Sequence, residues 1–130
     1  MLALTIRTDK PEAELSLIDS GQQLSAIKWQ AHRELSDTIH LKIKELLNKS
    51  GKKMEELEGL VIYKGPGSFT GLRIGFAVAN TMAYALNIPI VAADGKDWAK
   101  TGCKKMAAGQ NDKIALPEYG SPPHITKPKK

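Results

Sequence analysis

Apolar and polar positions along the chain follow two periods, and the switch between them marks out the elements. Leu2–Thr8 is short, apolar and rich in strand formers. Leu15–Asp19 alternates Leu-Ser-Leu-Ile-Asp, and after the turn pair Ser20-Gly21 the run Leu24–Trp29 reads as a return strand. Three antiparallel strands in two hairpins are therefore expected first. The period then lengthens. Leu35, Ile39, Ile43, Leu46 and Leu47 fall at i, i+4, i+8, i+11 and i+12, on one helical face. Ser36 is the expected N-cap with Asp37 in the first turn, Lys49 suits the last turn, and Gly51 is placed to end the helix.

Leu57–Tyr63 reads as a buried strand, and the loop Lys64-Gly65-Pro66-Gly67-Ser68 follows it directly. A second helix is predicted from Phe69 to Leu86, a further strand over Ile88–Ala93, and a short third helix over Lys96–Ala108. The order β-β-β-α-β-α-β predicts an α/β fold. Its mixed five-stranded sheet would have three antiparallel strands, then parallel ones, with helices packed on it. Residues 1–108 are expected to form one lobe and residues 109–130 an extended basic tail, because periodicity is lost where Gly, Asn, Asp, Pro and Lys take over.

Composition narrows the function classes. A chain of 130 residues with 42% hydrophobic and 25% charged residues suits a single globular domain. The net charge of +5 owes three units to Lys127, Lys129 and Lys130, so the body carries only +2. That weakens a reading as a nucleic-acid binder through a basic face, leaving a basic tail. Cys103 stands alone, which excludes an internal disulfide and a cysteine-based zinc site. No cationic leader precedes a long apolar run and no apolar stretch reaches about 18 residues, so a cytoplasmic protein without membrane association is expected.

The segment Gly65-Pro66-Gly67-Ser68-Phe69-Thr70-Gly71-Leu72-Arg73-Ile74-Gly75 carries the most information. Gly65 and Gly67 can turn sharply or admit another backbone, and Ser68 or Thr70 can cap the helix. A glycine-rich loop between a strand and a helix N-terminus is a ready anion site, so Gly65, Pro66, Gly67, Ser68, Thr70 and Arg73 are candidate anion contacts. Against that, the loop lacks the Gly-Lys-Ser/Thr end of a P-loop, and Gly71 comes one residue too late for a dinucleotide fingerprint. A purely structural turn is the competing reading. In the helix, Gly71, Gly75, Ala79 and Ala83 recur every four residues as a stripe with almost no side chain. Two helical glycines cost about 1 kcal/mol each relative to alanine, which close approach of another element would offset. That element is either the chain's own sheet and first helix or a partner.

These residues also carry a family resemblance. Gly65–Gly75 resembles, residue for residue, the signature of the TsaB (YeaZ) proteins. Leu15–Asp19, Leu35–Leu47, Ile88–Val91 and the segment Leu116-Pro117-Glu118-Tyr119 with Pro122-Pro123 are similar to further parts of that family. The resemblance implies an actin-like, ribonuclease-H-like lobe. It implies a non-catalytic dimerisation subunit that supports the catalytic TsaD subunit in threonylcarbamoyladenosine modification of tRNA at adenosine 37. It further implies association with the ATPase TsaE, a homodimer when alone, contact with tRNA only through the complex, and ATP only at a partner interface with no cofactor of the chain's own. The implied pairing surface lies on the two lobe helices, at Ile39, Ile43, Phe69, Gly71, Leu72, Gly75, Phe76, Ala79 and Ala83.

Two departures stand out. Family members are usually longer, with a second lobe after the strand near Val91 that has no counterpart in these residues. The family's first strand ends in an aspartate before threonine, where this chain has Arg7 before Thr8. Arg7 removes a metal ligand and adds a positive charge, which argues against ATP hydrolysis. An enzyme reading has little else to draw on. His32 and His40 are eight apart, His124 lies near the end, Ser68 has no evident base, and Asp9, Glu12, Glu14 and Asp19 fall in hairpins. Three alternatives to the scaffold stay open: a nucleotide- or anion-binding enzyme using the glycine-rich loop, a tRNA-binding module using the basic tail, and a homodimeric paralogue with no tRNA role.

Overall fold

The computed structural model describes residues 1–118, leaving out the side chain of His32. Of the expected tail, Tyr119–Lys130, with His124, lies outside the described residues. Strands β1 (Leu2–Arg7), β2 (Glu12–Asp19) and β3 (Gln22–Gln30) come first, followed by helix α1 (Leu35–Lys49). Then come β4 (Gly59–Tyr63), α2 (Phe69–Leu86), β5 (Ile90–Ala93) and α3 (Trp98–Ala107), with short 3-10 turns at His32–Glu34 and Met54–Glu56. The sheet order is β3-β2-β1-β4-β5. β1 pairs antiparallel with β2 and parallel with β4, β2 pairs antiparallel with β3, and β4 runs parallel to β5. This is the mixed five-stranded sheet expected from the pattern.

Period-two alternation divides the strands between two cores. Leu4, Ile6, Leu15, Leu17, Leu60, Ile62 and Ile90 pack with α1 and α2. Ala3, Val61, Tyr63, Val91 and Ala93 pack with Trp98 and Met106 of α3 on the opposite side. The five apolar positions read as one face of α1 are all buried. Each such side chain contributes about 1.5–3 kcal/mol of burial free energy, which the modest propensity of this polar helix could not supply.

The boundaries differ from the pattern where backbone pairing and turns override local side-chain chemistry. Ser36 does not cap α1; the helix begins at Leu35 from Glu34, without a side-chain cap, because a 3-10 turn already leads into it. β2 begins three residues early, at Glu12, since its antiparallel ladder extends to Gln30 of β3. β4 and β5 begin two residues late, at Gly59 and Ile90. Residues 109–118 are not part of a free tail. Asp112 N donates to the Ile90 carbonyl at 2.8 Å, Glu118 N donates to the Lys64 carbonyl at 2.7 Å, and Ala115 is buried.

Candidate functional site

β1 and β4 are parallel neighbours, so their C-terminal ends reach the same edge of the sheet. The glycine-rich loop leaves β4 there and turns into α2. It closes onto Thr8 and Asp9, the residues just past β1. Ser68 N donates to the Asp9 carbonyl at 2.8 Å, and the Thr8 hydroxyl donates to the Gly71 carbonyl at 2.8 Å. A Cβ on Gly67 would overlap Asp9, one on Gly71 the Thr8 carbonyl oxygen, and one on Gly75 the Thr8 hydroxyl. The glycines therefore let a strand end, a loop and a helix meet at backbone contact. Ser68 is the N-cap of α2, accepting from Gly71 N at 3.2 Å.

Arg7 is tied up beside this junction. Its Nε donates to Asp9 Oδ1 at 2.7 Å and its Nη2 to Asp9 Oδ2 at 3.2 Å, a forked pair. The guanidinium carbon also lies 4.1 Å from the Tyr63 ring centroid. The hydrogen bond to Asp9, helped by the charges of Asp9, Tyr63 and Glu14, outweighs partial burial and holds the guanidinium above its ordinary pKa. A metal-bound phosphate at this strand end would need a free carboxylate, yet Arg7 stands in one position and engages the carboxylate of the other. The residues present do not fit such a group. Of the other candidate anion contacts, Pro66 and Thr70 are exposed, and Arg73 lies over the Phe69 ring at 5.4 Å. Among the described residues no group of three or more His, Cys, Asp or Glu side chains could hold a metal ion.

The nine residues expected at a partner interface divide sharply. Ile39, Ile43, Leu72, Gly75, Phe76, Ala79 and Ala83 are buried within the chain itself. Gly71 faces Thr8, and only Phe69 is exposed, at 49%. The small-residue stripe thus serves the chain's own sheet, which is the correction: the strand end, α1 and the sheet supply enough mass to cover it. The open face of α2 is a different row, Arg73, Ala77, Thr81 and Tyr84, with Tyr84 90% exposed.

Beside that row runs a strap, residues 111–118, that the pattern did not reveal. The Asn80 side chain donates to the Ala115 carbonyl at 3.0 Å and accepts from Ala115 N at 2.8 Å. Asn111 and Asp112 side chains accept from Ile90 N and Ala92 N, finishing the free edge of β5. The strap leaves Ile114 and Leu116 exposed at 69% and 73%, along grooves of 520 and 920 Å³ that it forms with α2. A lone asparagine in a mostly apolar helix was the available signal for this clamp. Asp9, two residues past Arg7, was the signal for the ion pair.

The family model for TsaD, described as tRNA N6-adenosine threonylcarbamoyltransferase, matches residues 29–95, just over half of the chain. The TsaB protein of Bacillus subtilis, named for tRNA threonylcarbamoyladenosine biosynthesis, is 46% identical over 50 residues, covering 38% of this chain and 22% of that protein. The chain belongs to the TsaD family, and several of the curated relatives it matches are named TsaB. The TsaD-family match spans α1, β4, the glycine-rich loop, α2 and β5. A tRNA N6-adenosine threonylcarbamoyltransferase of Geotalea daltonii is 27% identical over 110 residues, covering 72% of this chain and 32% of that protein. YeaZ from Pseudomonas aeruginosa superposes with a TM-score of 0.67 at 24% identity, covering 72% of this chain and 43% of that chain. That likeness establishes the actin-like, ribonuclease-H-like fold. The chain spans well under half the length of the curated relatives it matches, 32% and 22% of the two named above. No helix among the described residues is long and apolar enough to cross a membrane.

Proposed function

We propose that this chain is a non-catalytic pairing subunit that supports a TsaD-like catalytic subunit in threonylcarbamoyladenosine modification of tRNA. The observation that carries the reading is the Arg7–Asp9 pair beneath the glycine-rich loop. It uses the charge and the carboxylate at the strand end where an actin-like ATPase would place metal and phosphate, so the junction serves to hold α2 in place. Pairing is supported by the outward row of α2, where Tyr84 stands exposed beside the exposed Ile114 and Leu116 of the strap. A TsaE-like ATPase, homodimerisation in the absence of the catalytic subunit, a cytoplasmic location and tRNA contact within the complex belong to the same proposal.

Reconstitution tests it. The full chain is combined with the TsaD-like subunit, the ATPase, threonylcarbamoyl-adenylate and unmodified tRNA. Modified nucleoside should form only when both the chain and the catalytic subunit are present. Equal product without the chain, or product from the chain without the catalytic subunit, overturns the reading.

A further inference from the structure

The side of the sheet opposite α1 and α2 is only half covered. α3 packs on β4, β5 and Ala3 of β1 and leaves the face of β2 and β3 largely uncovered. Between α3 and that face runs a trough made of two cavities of 330 and 260 Å³, which share Ile18, Gln23, Trp98 and Ala99. Its floor includes the hydroxyls of Thr5 and Ser16, which bond each other.

The charges along α3 are one-sided. α3 carries Lys100, Lys104 and Lys105 and no acidic residue, and Lys96 stands in the turn before it. Lys96, Lys100 and Lys104 are exposed and recur every four residues, about 6 Å apart along the helix direction. Among the described residues none of these four lysines makes an ion pair within 4.0 Å, whereas Lys42 and Lys64 each have a carboxylate partner. Lys28, exposed on β3, lines the trough from the other side. Two carboxylates lie nearby: Asp97 at the start of α3, and Glu14, which sits in register between Arg7 and Lys28.

We propose that the ridge Lys96–Lys100–Lys104, with Lys28 across the trough, is a contact surface for the phosphate backbone of folded RNA. The outer face of α3 offers Lys100, Thr101, Lys104 and Ala107, with no large apolar side chain. Protein interfaces are depleted in lysine and built around apolar anchors, so an acidic protein finds little to bury here. Phosphates need only solvated cations and hydroxyl donors, which this ridge presents. Because α3 lies across the sheet from α2, RNA and a protein partner could occupy the chain together. That the RNA is a tRNA rests on the function proposed above; contact with RNA phosphates does not.

The test is fluorescence anisotropy of an unmodified tRNA transcript titrated with the full chain at about 50 and about 200 mM salt. Wild type is expected to lose affinity steeply with salt. The K100E/K104E double variant should lose about tenfold less over that range, because two phosphate contacts are gone. A K44E/K49E variant on the exposed surface of α1 changes net charge equally and should keep the wild-type slope. Circular dichroism confirms that both variants fold. Equal effects of the two variants, salt-independent binding, or poly-glutamate bound as tightly as tRNA would each overturn the assignment. Co-purification with the TsaD-like subunit separates the two proposals: K100E/K104E should still pair, and unchanged tRNA affinity in that variant with pairing intact would sink the RNA surface alone.

Discussion

The Thr8 hydroxyl occupies the space that a side chain on Gly75 would need, while donating to the Gly71 carbonyl one turn earlier. This contact explains the glycines of α2 without a partner, and it can be broken selectively. Gly75→Ala gains about 1 kcal/mol of helix propensity but meets overpacking of roughly 1–3 kcal/mol, so net loss is expected in urea denaturation. Adding Thr8→Ala removes the hydroxyl and methyl that Gly75→Ala strikes and should recover part of the loss. Gly71→Ala strikes the Thr8 backbone oxygen instead, so Thr8→Ala should not rescue it. Equal rescue of both would show that the contacts are misassigned.

Arg7→Ala leaves the buried Asp9 carboxylate without its forked partner. Arg7 is itself partly exposed, so a loss of about 2–3 kcal/mol is expected, below that of a fully buried pair. Arg7→Lys should lose less, since it keeps the charge but neither the fork nor the flat contact with Tyr63. Chemical denaturation of the three proteins measures both differences.

Asn80→Ala removes both hydrogen bonds that hold Ala115. At about 1 kcal/mol each, the strap should loosen by roughly 2 kcal/mol while the sheet stays intact. Hydrogen exchange should speed up at the amides of Ala115 and Glu118 and not at those of β1 or β4. Unchanged exchange at Ala115 would mean that Asn80 is not the clamp.

Burial pushes the Cys103 thiol above its ordinary pKa, against the weaker pull of the N-terminal ammonium. The group thus favours the folded state below the ordinary thiol pKa, and that contribution fades as pH rises through the folded value. Alkylation at pH 8 should be slower for the native than for the urea-unfolded chain, with the native rate still climbing at higher pH. Equal rates at pH 8 would contradict a shielded thiol.

The strand and helix order was legible because each apolar face has a clear period: Leu35 to Leu47 in α1, and the alternation of β1 and β2. The purpose of the stripe Gly71-Gly75-Ala79-Ala83 was not legible. Spacing says that something comes close but not what, and Thr8 lies 63 residues from Gly71. The strap escaped for the same reason. Residues 109–118 have tail-like composition, and only the distant Asn80 and the open edge of β5 reveal that they pack. At the site, the motif located the loop correctly, but whether Arg7 was free or paired depended on Asp9 across a strand end.

The central claim is that the outward row of α2 pairs with a TsaD-like catalytic subunit. Its most direct test is the dissociation constant of that complex, measured by calorimetry for wild type and Tyr84→Arg. Tyr84 is almost wholly exposed, so the substitution should leave the fold alone. The account predicts a 1:1 complex for wild type and at least tenfold weaker binding for Tyr84→Arg, a loss of about 1.4 kcal/mol or more. Wild-type affinity in the Tyr84→Arg variant, or no complex with wild type, would contradict it.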